Sequence, residues 1–157
     1  MARTTPSWPP SAILLVLSGF TLIGTGLYFL LLRPPLLPED VRYMGLNEAQ
    51  LVAVRPRLEA WLAHVFYVMG GYILANGVLA VTLAATSFRM HQWNAWLGAL
   101  IGGTFSIGWM AIVNLIIDSD FKLVLSSMAA VWVASLALFC FEKIRQPSPV
   151  STMMNGE

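Results

Sequence analysis

The chain is 157 residues long, 57% hydrophobic and only 11% charged, with a mean hydropathy of +0.71. About a quarter of a soluble domain is charged, and such a domain cannot hide this much apolar surface, so the composition points into a membrane. A net charge of +1 without a basic stripe excludes a nucleic-acid surface, and the single cysteine, Cys140, excludes an internal disulfide, a CxxC pair and a cysteine zinc cluster.

Met1 to Pro10 is a short N-terminal segment in which Pro6, Pro9 and Pro10 oppose an early helix, and Trp8 suits a headgroup boundary. No residue from Ser11 to Leu32 is charged. At 1.5 Å per residue, about 20 apolar residues cross a hydrocarbon core of about 30 Å, so residues 11–32 form a first span. A cleaved signal peptide is the competing reading, since Arg3 precedes the run. Signal h-regions are shorter, about 7–15 residues, and no small-x-small cleavage site follows, which favours a retained helix. Arg33-Pro34-Pro35 stops it.

Residues 33–60 are a connector in which charge collects: Arg33, Glu39, Asp40, Arg42, Glu48, Arg55, Arg57 and Glu59 make up nearly half of the nine basic and eight acidic side chains. Pro38 near a first turn, with Glu39 and Asp40 at the positive end of the dipole, starts a short helix that turns Val41, Met44 and Leu46 toward lipid or bundle. Asn47 is an N-cap for a second helical piece, Glu48 to Val54, before Pro56 resets the chain. Together these form an interfacial, partly amphipathic strap over one end of the bundle, the alternative being an ordinary solvated loop.

The second span covers 61–88, with Gly71 and Ala75 as a small-xxx-small pair for close helix approach. Arg89 to Gln92 turns the chain between aromatic anchors, Trp93 and Trp96 lying just beyond. The third span, 94–117, carries Gly98, Gly102, Ser106 and Met110 on one stripe, which is expected to bury against a neighbouring helix. Asp118-Ser119-Asp120 is a polar turn able to cap the fourth span, 121–141, whose small face is Ser126, Ala130 and Ala134. Cys140, near its end, reads as a small apolar filler. Gln146 to Glu157 reads as a disordered tail. The expected fold is therefore all-α, a four-transmembrane-helix bundle with a short helical connector between helices 1 and 2.

Four spans put both termini on one side. Arg3, Arg89, Lys143 and Arg145 on that side nearly balance Arg33, Arg42, Arg55, Arg57 and Lys122 on the other, where six acidic residues accompany them. Acids weigh little in orientation, and the expectation is a multi-pass cell-membrane protein with cytoplasmic termini.

Polar groups in hydrocarbon are costly and usually face the bundle interior, which singles out His64, Asn76 and Asn114 in the spans, with Asp118 standing only at a boundary. Tyr67 follows His64 by one turn, and Arg57 and Asp40 stand in the connector nearby. These six are the candidate ligand-binding residues, against the plainer reading of interface hydrogen bonds and interhelical glue. Asn76 lies about 18 Å below His64, near mid-bilayer, where it needs a partner; Asn114 is placed nearer His64 or the connector. His64 and His91 are about 40 Å apart along the helix, so they cannot share a haem, and no cofactor or metal is expected.

Leu37-Pro38-Glu39-Asp40 with Met44-Gly45-Leu46, Pro56-Arg57-Leu58 with Ala63-His64, and Gly70-Gly71 with Asn76-Gly77 resemble the pattern of small bacterial four-helix membrane proteins of the broad DoxX-like group, over about Leu15 to Phe141. The resemblance implies a four-helix fold and, as in some members, a link to quinone-dependent oxidoreductases. Relatives often open the second helix with a His-Asp pair, whereas here Val65 follows His64.

Two functions fit these residues. One is a non-enzymatic accessory or scaffold subunit, or a bundle that binds lipid or quinone; its partners are the bilayer and another membrane protein or a second copy. The other is a redox or lipid-modifying enzyme at the membrane surface, using His64, Asp40, Arg57 and Tyr67. A small transporter with a polar path through Asn76 is a third.

Overall fold

The computed structural model describes residues 8–45 and 47–145, with the side chain of Glu48 set aside. The expected tail, most of the N-terminal segment, and Leu46 lie outside the described residues.

Among the described residues all regular structure is helical. α1 (Pro10–Leu31) starts with proline in its first turn, where no N–H is missed, and ends as the Leu32 and Arg33 N–H groups fall back on Tyr28 O ahead of the Pro34-Pro35 pair. α2 (Pro38–Met44) also begins on proline and stops at Gly45, whose φ of 64° is left-handed. α3 (Glu48–Leu83) runs on through a π-helical turn at Ala84–Phe88. The third span consists of α4 (Trp93–Gly103), a π-helical turn at Thr104–Gly108, and α5 (Trp109–Ile116). α6 (Lys122–Arg145) is the fourth. Four helices are thus long and apolar enough to cross a bilayer: Pro10–Leu31, Ala49–Phe88, Trp93–Ile116 and Lys122–Arg145. The chain is a membrane-embedded helical bundle.

Asn47 is the expected N-cap: its Oδ1 accepts from Gln50 N at 2.9 Å while Gln50 Oε1 accepts from Asn47 N at 3.1 Å. The break expected at Pro56 does not occur. Pro56 sits inside α3, and both it and Val52, whose carbonyl loses its helical partner, are exposed where water can replace that bond. The 40-residue helix is about 60 Å long, twice the hydrocarbon thickness, so its charged first third stands out of the membrane as an overhang.

α1 is the central element, packed along α3 on one side and α6 on the other. Its seam with α3 is built from glycines seven residues apart, Gly19 and Gly26 facing Gly70 and Gly77. A Cβ at Gly26 would lie 2.5 Å from Leu74 N, and one at Gly77 would lie 2.7 Å from Gly19 O. Without a hydrophobic force between helices in lipid, such backbone approach is the main source of association. The Gly71–Ala75 pair expected to make this seam points elsewhere: Gly71 has open space beside it. On the third span Gly98 and Gly102 meet Leu83 and Asn76 only at ordinary contact distance, and the tight position is Gly103, covered by the Trp132 indole, whose Nε1 donates to Ala99 O at 3.0 Å. Of the small face expected on the fourth span, Ala130 and Ala134 are turned outward while the Ser126 hydroxyl is buried, and the side that packs is made by Trp132, Ser135, Leu136 and Phe139.

The buried core gathers at the end that holds the termini, where Ala12, Leu15, Phe88, Ala95, Ala99, Leu136 and Phe139 interlock. A polar staple closes this end. Glu142 on α6 accepts from Ser11 N at 3.0 Å and from the Ser11 hydroxyl, and its Oε2 lies 2.9 Å from His91 Nε2. Ser135 Oγ donates to Ser11 O at 2.8 Å, and the His91 ring rests against Phe139. Glu142 stands between Ser11 and His91, so the histidine does not reach the hydroxyl as a general base would; the group locks the ends of α1 and α6 to the 89–92 turn.

Candidate functional site

At the opposite end the helices part. Substantial backbone contacts from α3 to the third span are made with α4, near the 89–92 turn, while α3 and α5 scarcely touch. The gap is a half-open groove of about 1240 Å³, floored by α1 and α6 and walled by α3 and the third span, larger than the roughly 300–1,000 Å³ of ordinary ligand pockets. Leu22, Tyr28, Phe29, Met69, Tyr72, Ile73, Phe105, Trp109, Met110, Leu125 and Met128 give it apolar walls. The π-helical turn at Thr104–Gly108 contributes Phe105 and Ser106, an instance of a π-bulge beside a cavity.

Charged groups meet the groove only at its connector end, where Arg33, Glu39 and Asp40 line it. The Arg33 side chain is 8% exposed; its guanidinium lies 3.5 Å above the Phe66 ring centre and 3.3 Å from Asp40 Oδ2. Stacking and pairing together make a cation tolerable at that depth. Asp40 Oδ2 also accepts from Leu37 N at 2.9 Å, so one carboxylate both caps α2 and holds Arg33.

Glu39 and Arg42 fasten α2 across the bundle to the turn between the third and fourth spans, Arg42 Nη2 also donating to Asp118 O at 3.4 Å. Ser119 Oγ donates to Glu39 Oε1 at 3.1 Å, with both residues buried, and Arg42 Nη2 pairs with Asp120 Oδ1 at 3.2 Å. The same Ser119 Oγ accepts from Phe121 N at 3.1 Å, so the cap of the fourth span comes from the serine of the Asp-Ser-Asp turn. Asp118 takes a left-handed φ of 52° and bonds Lys122. That hydrogen bond and the ammonium charge, with a smaller effect from Arg42, hold its carboxyl below the ordinary value of 3.8. A depressed carboxyl stabilises the fold above about pH 4 and loses that contribution as pH falls through its lowered value. Lys122→Met returns the Asp118 titration toward 3.8 in carboxyl-carbon NMR; an unmoved midpoint rules out Lys122 as the cause.

The six candidates divide. Asp40, Asn76 and Asn114 line the groove. Asn114 Nδ2 donates to its own helix, at Met110 O (2.9 Å), and Asn76 faces Gly102 across the gap and makes no hydrogen bond to any described residue. Neither amide is the other's partner. His64, Tyr67 and Arg57 are exposed and lie outside the groove: His64 Nδ1 bonds Ala60 O one turn back at 2.7 Å, and Tyr67 edges a small recess of about 80 Å³ beside Arg33. Glu39 and Arg33 do line the groove, and Ser119, which holds Glu39 from outside it, has no motif spacing to either, because that contact joins residues 80 apart in the chain.

Fold and site together define a four-span helical membrane bundle with a strapped lateral groove. Comparison with family models, with curated proteins and with solved structures found no match.

Proposed function

We propose that this protein is a non-enzymatic integral membrane protein, an accessory or scaffold component that holds one lipid or quinone molecule in the groove between α3 and α5, with α2 as a strap over its polar end. The observation that carries this reading is the groove's polarity gradient: apolar walls over most of its length and charged groups at one end, matching an amphiphile that lies parallel to the helices. A cavity of this size opening among lipid tails fills with a chain, because its walls otherwise lose their dispersion partners. The unpartnered Asn76 amide supports an occupant too, since a polar group at that depth needs a hydrogen bond from something. The DoxX-like resemblance taken alone would suggest a quinone, and the chemistry of the groove's polar end decides between that and a lipid. An enzyme centred on His64 has less support, since His64, Arg57 and Tyr67 stand away from the groove that Asp40 lines. We place the termini on the cytoplasmic side and the connector outside, which paired reporter tags on the terminus and the 89–92 turn would test.

The groove itself is tested by gentle purification and native mass spectrometry. Wild-type protein retains a single adduct of lipid or quinone mass. Ser106→Trp, which projects a bulky ring from the groove wall, lowers that occupancy at least about tenfold, equivalent to about 1.4 kcal/mol, while the fold is retained. Equal adducts on both proteins would mean that the bound molecule sits elsewhere.

A further inference from the structure

Resting on the groove reading above, we infer that Glu39 selects the occupant's headgroup, and that the occupant is a neutral two-chain glycerolipid with a free hydroxyl, of the diacylglycerol type. Glu39 is 6% exposed and lines the groove at its connector end. A carboxylate offers about four acceptor sites, yet among the described residues this one takes a single hydrogen bond, from Ser119 Oγ. No cation of the described residues pairs with it. Arg33 pairs with Asp40, and Arg42 pairs with Asp120. The rest of this carboxylate is not sealed off, and the groove that Glu39 lines is the side from which a further donor can come.

Charge decides which donor. Arg33, Glu39 and Asp40 leave the head of the groove with two carboxylates against one guanidinium, and that guanidinium is already shared between Asp40 and the Phe66 face. A phosphate monoester or a fatty acid carboxylate would add negative charge beside Glu39 at low dielectric, where like charges repel strongly. A quinone head offers only acceptors and would leave Glu39 unsatisfied. A hydroxyl donates, brings no charge, and completes the carboxylate. The groove volume of about 1240 Å³ exceeds that of ordinary ligand sites, which favours two chains over one compact ring system.

The test uses the full-length protein in detergent micelles with dioleoylglycerol, dioleoylphosphatidic acid and dioleoylphosphatidylethanolamine added singly at equal concentration, read by native mass spectrometry. Wild type binds dioleoylglycerol at least about tenfold more tightly than phosphatidic acid, the difference between a made charge-assisted hydrogen bond and an opposed charge. Glu39→Gln cuts dioleoylglycerol affinity about tenfold and narrows the gap. Ser119→Ala, which removes the strap contact but keeps the carboxylate, preserves the preference and separates recognition from loosening of α2. Stronger binding of phosphatidic acid or phosphatidylethanolamine, still abolished by Ser106→Trp, overturns the hydroxyl assignment and leaves the groove reading standing. Absence of any binding sensitive to Ser106→Trp overturns the groove reading itself.

Discussion

Gly77→Leu destabilises the bundle by about 3 kcal/mol or prevents its assembly, whereas Gly71→Leu, six positions earlier on the same helix, leaves it close to wild type. The added Cβ at Gly77 meets main-chain atoms of α1, Gly19 O and Ile23 N, each at 2.7 Å, and backbone inside a helix cannot swing aside as a side chain can. α1 would have to move away along its whole contact with α3, and that contact is the largest in the protein. At Gly71 nothing lies within 4 Å, so leucine enters open space and gains helix propensity. Thermal unfolding in mild detergent, followed by near-ultraviolet circular dichroism of the tryptophans, separates the two. Equal losses would mean that the seam has been assigned to the wrong face.

Arg33→Ala unlatches the strap. The guanidinium pairs with Asp40 at 3.3 Å, donates to Pro34 O at 3.0 Å, and covers the Phe66 and Phe29 rings, so alanine removes packing as well as charge. Asp40 is left partly buried without its cation while it caps α2, and breaking a buried pair in this way costs about 3 kcal/mol. The loss falls on the connector and not on the distant core around Phe88 and Phe139. Hydrogen exchange of amides 39–45 accelerates about 100-fold, while the terminal ends of α1 and α6 keep wild-type protection. Arg33→Lys keeps the charge but loses the planar stack, and gives an intermediate rate. Unchanged exchange in Arg33→Ala would show that α2 is held through the 118–120 turn and not through Arg33.

The four spans were legible because length and absence of charge suffice to recognise a bilayer-crossing helix, and the Asn47 cap because its partner Gln50 is three residues away. The inward faces were not legible. A rod that is apolar all round, as lipid requires, carries no amphipathic stripe to say which side meets its neighbours. Gly70 and Gly71 are adjacent and point about 100° apart, and only the position of α1 decides which of them is buried. The same holds on α6, where Trp132 and Phe139 turn inward and the alanines face out. Pro56 misled for a different reason: proline breaks a helix where its orphaned carbonyl is buried, and this one lies on a water-exposed overhang.

Of the candidate residues, Asn76 and Asn114 were singled out by polarity at depth and Asp40 by its place in the connector, and all three line the groove. His64 was singled out by the same criterion, but its position near the interface lets it turn outward and bond its own helix. Glu39 was hidden among the connector acids, since nothing local distinguishes a carboxylate that folds under the strap from one that stays in water. Glu142, Ser11 and His91 come from three distant points of the chain, and only the antiparallel closure of the bundle joins them.

A structure of the protein in a lipid nanodisc tests the central claim most directly. The account predicts elongated density for one amphiphile between α3 and α5, its tails beside Tyr72 and Trp109 and its head beneath α2 next to Glu39. Side chains of α3 and α5 in direct contact along that length, with no intervening density, would contradict it.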